Sequence, residues 1–153
     1  MAEPGGPAPS YPWRRFTPEE TEAHLDRLRA VLAETVTGAW TSIRLTGNML
    51  LEVSGLLLHA ARPDGTGERV TAPAKTRTLL SALRSGTYER GTGAWYRVEI
   101  TFHRGGGREV AYDLEGEPGF GRRVGDGVYH VDFRYFPRAA ERVPDWLHRR
   151  IAP

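Results

Sequence analysis

The sequence predicts an α+β fold: an antiparallel sheet of two or more hairpins, packed by an N-terminal helix, a middle helix and a short C-terminal helix. Three observations carry that prediction. A helix start signal at residues 17–20 precedes an apolar stripe of helical spacing, two stretches alternate with period two around glycine-bearing turns, and a short closing run holds Trp146, Leu147 and Ile151. At 153 residues the expected organisation is a disordered Pro- and Gly-rich tail over residues 1–15, then one α+β domain with one core over residues 16–153.

The first helix opens on Thr17, Pro18, Glu19 and Glu20, which combine an N-cap threonine, a proline at the first helical position and a glutamate at the third. It runs to about Thr35, with Leu25, Leu28, Val31, Leu32 and Val36 on one side. From Thr41 the period becomes two. Ile43 and Leu45 precede a turn at Gly47 and Asn48, and Met49, Leu51 and Val53 resume on odd positions. The apolar set then moves to Leu56, Leu58 and Ala60, the phase slip that a β-bulge at Gly55 would produce. Arg62–Thr71 reads as turn-rich, and a middle helix follows over roughly residues 73–84, ended by Gly86.

The clearest hairpin lies between Gly93 and Glu117. Tyr96, Val98, Ile100 and Phe102 alternate with Trp95, Arg97, Glu99 and Thr101, and Val110, Tyr112 and Leu114 alternate with Glu109, Ala111, Asp113 and Glu115. A three-residue loop of Gly105, Gly106 and Gly107 pairs Phe102 with Val110, so both strands bury their even positions. On the outer face that register sets Arg97 against Glu115 and Glu99 against Asp113, a like-charge pair. Residues 128–136 fit two patterns. Tyr129, Val131, Phe133 and Tyr135 alternate as in a strand, which composition favours, while Tyr129, Asp132, Phe133 and Phe136 fit one side of a helix.

Composition removes several function classes. The longest apolar run, Leu56–Ala61, is far short of the roughly 18 residues of a membrane span, and Glu3 with the surrounding Pro and Gly argues against a secretory signal, so no membrane role and a cytoplasmic location are expected. The absence of cysteine rules out disulfides, thiol catalysis and thiolate metal sites. The net charge is only +2, Lys75 is the only lysine, and acidic residues interleave the arginines, so nucleic-acid binding is not expected. The five histidines show no ligand spacing, no serine sits in a G-x-S-x-G elbow, and no phosphate loop of the Walker type occurs. Neither a metal, a cofactor nor a catalytic centre is expected.

The candidate site is the outer face of the second hairpin: Trp95, Arg97, Glu99, Asp113, Glu115 and Glu117. Its carboxylates have three readings, as a solvated strand face, as a partner-binding face for basic side chains, or as paired groups for acid–base chemistry. An exposed tryptophan among charges favours the second, because such residues are enriched at interface hot spots. A different reading, a small-ligand-binding or regulatory domain of bacterial origin, would use a pocket lined by Trp95, Tyr112, Tyr129 and Phe133.

Four motifs in order resemble the YezG-like immunity proteins over about residues 73–148: Gly93-Ala94-Trp95-Tyr96, then Tyr112-Asp113-Leu114-Glu115-Gly116-Glu117-Pro118, then Tyr135-Phe136-Pro137-Arg138, and finally Val143-Pro144-Asp145-Trp146. Leu114 and Glu115 stand where that family has an aromatic residue and an aspartate, and residues 128–135 look strand-like where it has a helix. The resemblance implies a non-enzymatic immunity protein, or antitoxin, of a toxin–antitoxin or polymorphic toxin system. Such a protein binds a cognate toxin domain and occludes its active site, here through Trp95, Arg97, Glu99, Asp113, Glu115 and Glu117. Pro118, Pro137, Arg138 and Trp146 are expected to be structural, with Trp146 docking the last helix and Arg138 pairing with Asp132 or Asp145.

Overall fold

In the computed structural model of the chain, residues 14–153 are described. The predicted tail, up to residue 13, lies outside them. Helix α1 (Pro18–Thr35) starts on the expected capping box: the Glu20 N–H donates to the Thr17 hydroxyl at 3.1 Å, and the Thr17 N–H donates to the Glu20 carboxylate at 3.2 Å. Arg14 also donates to that carboxylate, and these two donors, Arg14 first, hold the Glu20 carboxyl down at about 2. The helix buries Leu25, Leu28 and Leu32.

The sheet has five strands, β1 (Ser42–Met49), β2 (Ser54–Ala61), β3 (Gly67–Val70), β4 (Arg97–His103) and β5 (Arg108–Asp113), in the order β3-β2-β1-β4-β5 with every neighbouring pair antiparallel. Helix α2 (Ala74–Thr87) connects β3 to β4. One face of the sheet, carrying Ile43, Leu45, Leu58, Ala60, Val98, Ile100 and Phe102, packs with α1 and α2 in the main core. Helices α3 (Asp126–Tyr135) and α4 (Asp145–Ile151) instead close one end of the sheet, where Leu50, Val53, Tyr96, Val124, Tyr129 and Leu147 make a second apolar cluster. Among the described residues no helix covers the opposite sheet face.

The predicted class and helices stand, and several local readings change. Gly47 and Asn48 are not a turn: β1 runs straight through them, and the reversal is the four-residue segment 50–53, closed by a Leu50 N–H to Val53 carbonyl bond of 2.8 Å. Those four residues alone produce the phase slip, so Gly55 makes no bulge. Gly47 is needed for close approach, because a Cβ there would sit 2.8 Å from Leu80 Cδ1 of α2. Gly86 likewise does not end α2, which continues to Thr87. The Phe16 ring lies where a Gly86 side chain would be, and the Phe16 N–H donates to the Gly86 carbonyl. The turn-rich segment 62–71 contains the edge strand β3, too short and polar to show alternation.

The second hairpin keeps its loop length and parity but slips in register. His103 and Gly107 close the loop Arg104-Gly105-Gly106, with Gly106 supplying the positive φ (107°) at the third position. Val110 therefore faces Ile100, and Phe102 faces Arg108. Two electrostatic gains accompany the slip. Asp113 now faces Arg97 while Glu99 faces Ala111, which removes the like-charge pair, and Arg108 reaches Asp26 (2.6 Å) and Glu22 on α1.

Residues 128–135 are helical. Burial of Tyr129 and Asp132 one turn apart on α3 decides against the strand pattern. Asp132 forms a bidentate ion pair with Arg84 of α2, with Nη2 donating to Oδ2 at 2.9 Å, and both side chains are about 2% exposed or less. The same carboxylate accepts the Leu51 N–H (2.7 Å), and Arg84 Nε donates to the Trp95 carbonyl (2.7 Å). Replacing Asp132 with Ala would strand the Arg84 charge in the interior, so Asp132→Ala is expected to lower unfolding free energy by about 3–5 kcal/mol. In urea titrations the double variant Arg84→Met/Asp132→Leu should lose clearly less than that single variant. Equal losses would show that the stranded Arg84 charge is not the source of the single variant's cost.

Candidate functional site

The six predicted site residues do not form one surface. Trp95 is buried, 2% exposed, in the main core, where its indole N–H donates to the Thr87 hydroxyl at 3.0 Å and its ring lies 6.2 Å from that of Tyr112. Strand alternation placed it outside because the phase was carried back past Arg97. The phase breaks there: the Tyr96 N–H donates to the Asp113 carbonyl, which also belongs to the residue facing Arg97, so two residues oppose one and Trp95 turns inward. Trp95 is thus a core residue and no interface anchor.

The carboxylates are mostly engaged. Arg97 and Glu99 stand side by side on the uncovered sheet face, 3.6 Å apart. Asp113 caps the turn after β5, its Oδ1 accepting the N–H groups of Glu115 (3.0 Å) and Gly116 (2.9 Å). Glu117 pairs with Arg150 at 2.9 Å, and Arg150 also reaches Asp126. Only the exposed Glu115 carboxylate has no partner among the described residues; the Glu115 carbonyl accepts the Trp146 indole N–H at 2.6 Å.

The four motif segments converge instead on a structural junction. Buried Arg138 donates to the carbonyls of Leu114 (2.8 Å), Arg142 (3.0 Å) and Ala94 (2.9 Å), and its guanidinium carbon lies 5.1 Å from the centre of the Tyr96 ring. The predicted pairing with Asp132 or Asp145 is not made, because Asp132 belongs to Arg84 and the carbonyls of three separate segments meet at Arg138. Gly93, at φ 105°, is required beside it, since a Cβ would collide with the guanidinium. Trp146 does dock α4, edge-on to Tyr96 with ring centres 5.0 Å apart. Pro118 is buried, and the Pro137 carbonyl accepts the Tyr88 hydroxyl.

The alternative ligand pocket does not assemble: Trp95 lies in the main core, whereas Tyr129 and Phe133 belong to the cluster under α3 and α4. Among the described residues no group of three His, Asp or Glu side chains could hold a metal ion, and no helix is long and apolar enough to cross a membrane.

The outer sheet face has no helix over it among the described residues. Its rows follow from the register: Gly55, Asn48, Arg97 and Asp113, then Leu57, Thr46, Glu99 and Ala111, then Arg69, His59, Arg44, Thr101 and Glu109. Leu57, 42% exposed, is an outward leucine between inward Leu56 and Leu58. That solvent-side leucine was the available sequence signal for this face, hidden by the continuous apolar run around it. No family model matches the chain, and no curated protein matches it.

One titration is set by this architecture. Burial, reinforced by the negative Asp132 nearby, pushes the Tyr96 hydroxyl up to about 12. Between pH 10 and that value the unfolded chain ionises this tyrosine while the folded one does not, so stability is fully present below pH 10 and is lost as pH rises towards about 12. The expected loss is on the order of 2 kcal/mol, and Tyr96→Phe should flatten that part of the pH–stability curve measured by chemical denaturation. A variant curve as steep as that of the unaltered chain would contradict the assignment.

Proposed function

We propose that this protein is a non-enzymatic immunity protein that binds a cognate toxin domain across the uncovered sheet face and so occludes the toxin's active site. The observation that carries the reading is the face itself. Four strand spacings make it about 19 Å wide, and the eight residues of β1 make it about 25 Å long. That flat area is more than half of the roughly 800 Å² per partner that a standard protein interface covers. Across it, exposed Leu57 is set among Arg44, Arg97, Glu99 and Glu109, a mixed-charge rim around an apolar spot.

The ordered motifs support the immunity reading through their resemblance, and their residues now have a structural reason to occur together around Arg138. Binding through Arg97 and Glu99 is retained from the sequence expectation. Trp95 drops out of the site, and Asp113 and Glu117 serve the scaffold.

The test is co-expression with whichever toxin-like domain a neighbouring gene encodes, reading growth rescue and a stoichiometric complex by size-exclusion chromatography. Leu57→Asp and Arg44→Glu should each weaken the complex at least about tenfold, whereas Glu34→Lys on the exposed side of α1 should not. Absence of a complex, or equal loss from the α1 control, would remove the proposed function or its location.

A further inference from the structure

At one end of the uncovered face the loop 119–121 crosses the sheet, held by the Gly119 N–H donating to the Asn48 side-chain carbonyl at 3.1 Å. Phe120 of this loop lies over Gly55. Between the loop and the strands runs a groove of about 290 Å³ whose lining includes Leu57, Phe120, Arg69 and Arg97. Leu57 and Phe120, apolar side chains of this lining, are carried by different segments, one by β2 and one by the loop. The groove's two guanidiniums come from β3 and β4, three strand spacings apart across the sheet and four residues apart along it, or about 19 Å at the backbone. The two arginine side chains enter the lining from opposite ends of the groove.

The charged side chains that line the groove are of one sign. Arg69 has no carboxylate partner among the described residues, and neither do the exposed Arg122 and Arg123 that follow the loop. Arg97 has only the half-exposed Glu99 at 3.6 Å, a solvent-screened contact that an arriving carboxylate readily replaces. This reverses the sign expected from the sequence, in which carboxylates were to meet a basic partner. Asp113 is engaged by its turn and Glu117 by Arg150, and the charged side chains that line this end of the face are arginines.

We propose, resting on the partner-binding reading above, that the groove receives an acidic segment of the partner protein, one carboxylate held by Arg69, another by Arg97, and an intervening aromatic or aliphatic side chain laid on Leu57 and Phe120. Arginine suits a carboxylate because its planar fork donates two parallel hydrogen bonds. A nucleic-acid strand is the poorer fit. Its phosphates recur about every 3.4 Å per strand, and continuing along this face they would meet Glu99, Glu109 and Asp113.

The experiment uses the full chain, labelled with 15N, and three probes: a short Asp-Phe-Glu-Leu peptide, the same peptide with Lys replacing both acids, and a short oligothymidylate. The acidic peptide should shift the amides of Leu57, Arg69, Arg97 and Phe120, and the lysine peptide should not. Arg69→Glu should weaken acidic-peptide binding at least about tenfold with an unchanged thermal midpoint, Arg97→Glu should weaken it as much while lowering the midpoint through its new repulsion with Asp113 and Glu99, and Arg134→Glu on α3 should leave binding unchanged. No shifts from the acidic peptide, or affinities unaffected by the two charge reversals, would overturn the proposal. Tighter binding of the oligothymidylate would overturn it in favour of nucleic acid. A toxin complex that survives the double charge reversal would sink the groove and leave the partner reading standing, whereas no complex with the unaltered chain would sink that reading itself.

Discussion

The buried Arg84–Asp132 pair is the constraint on which the remaining structure depends. It joins four parts of the chain that share little sequence proximity: α2, α3, the β1–β2 reversal through the Leu51 N–H, and the entry to β4 through the Trp95 carbonyl. A charge this deep is tolerated only when its hydrogen-bonding groups are satisfied. Here the carboxylate accepts three bonds, and the guanidinium lies 4.7 Å from the centre of the Phe136 ring and 5.4 Å from that of Tyr96. Because both partners are fixed by helices, the pair sets where α3 stands at the end of the sheet, and with it the start of the second core cluster.

Arg138 repeats the device with neutral partners. Its carbonyl acceptors lie just before β4, just after β5 and at the last residue of the 3₁₀ turn Ala140–Arg142, so it joins the edges of the C-terminal half much as Arg84 joins its centre. Residues that recur in order along the sequence are thereby accounted for by packing. The consequence for recognition is spatial. With α3 and α4 committed to the sheet's end, nothing among the described elements is left to cover its second face.

The elements that were legible in the sequence are those whose signals are local. The Thr17–Glu20 capping box and the leucines of α1 needed no knowledge of the rest of the chain, and neither did the alternation of β4. Errors gathered where a partner from elsewhere decides the outcome. Gly47 and Gly86 read as punctuation, yet they are glycines because Leu80 and Phe16 press on them. Trp95 read as an exposed anchor because a bulge opposite Asp113 cannot be seen from alternation. The helix over residues 126–135 was ambiguous because its buried aspartate looks like a surface residue until Arg84 is placed opposite it. At the candidate site the charged positions Arg97 and Glu99 were found, whereas Arg69 and Phe120 were not. Their significance arises only when β3 and the loop 119–121 are brought onto one face.

The strand order also bears on how the chain comes to its structure. The central pairing, Ser42 with His103 through Asn48 with Arg97, joins residues on average more than fifty apart, across β2, β3 and all of α2. The two hairpins can close locally, but neither buries its inner face until they meet, and loop closure of that length costs entropy before any contact rewards it. Of the strand pairings, the one between β1 and β4 therefore carries the largest loop-closure entropy.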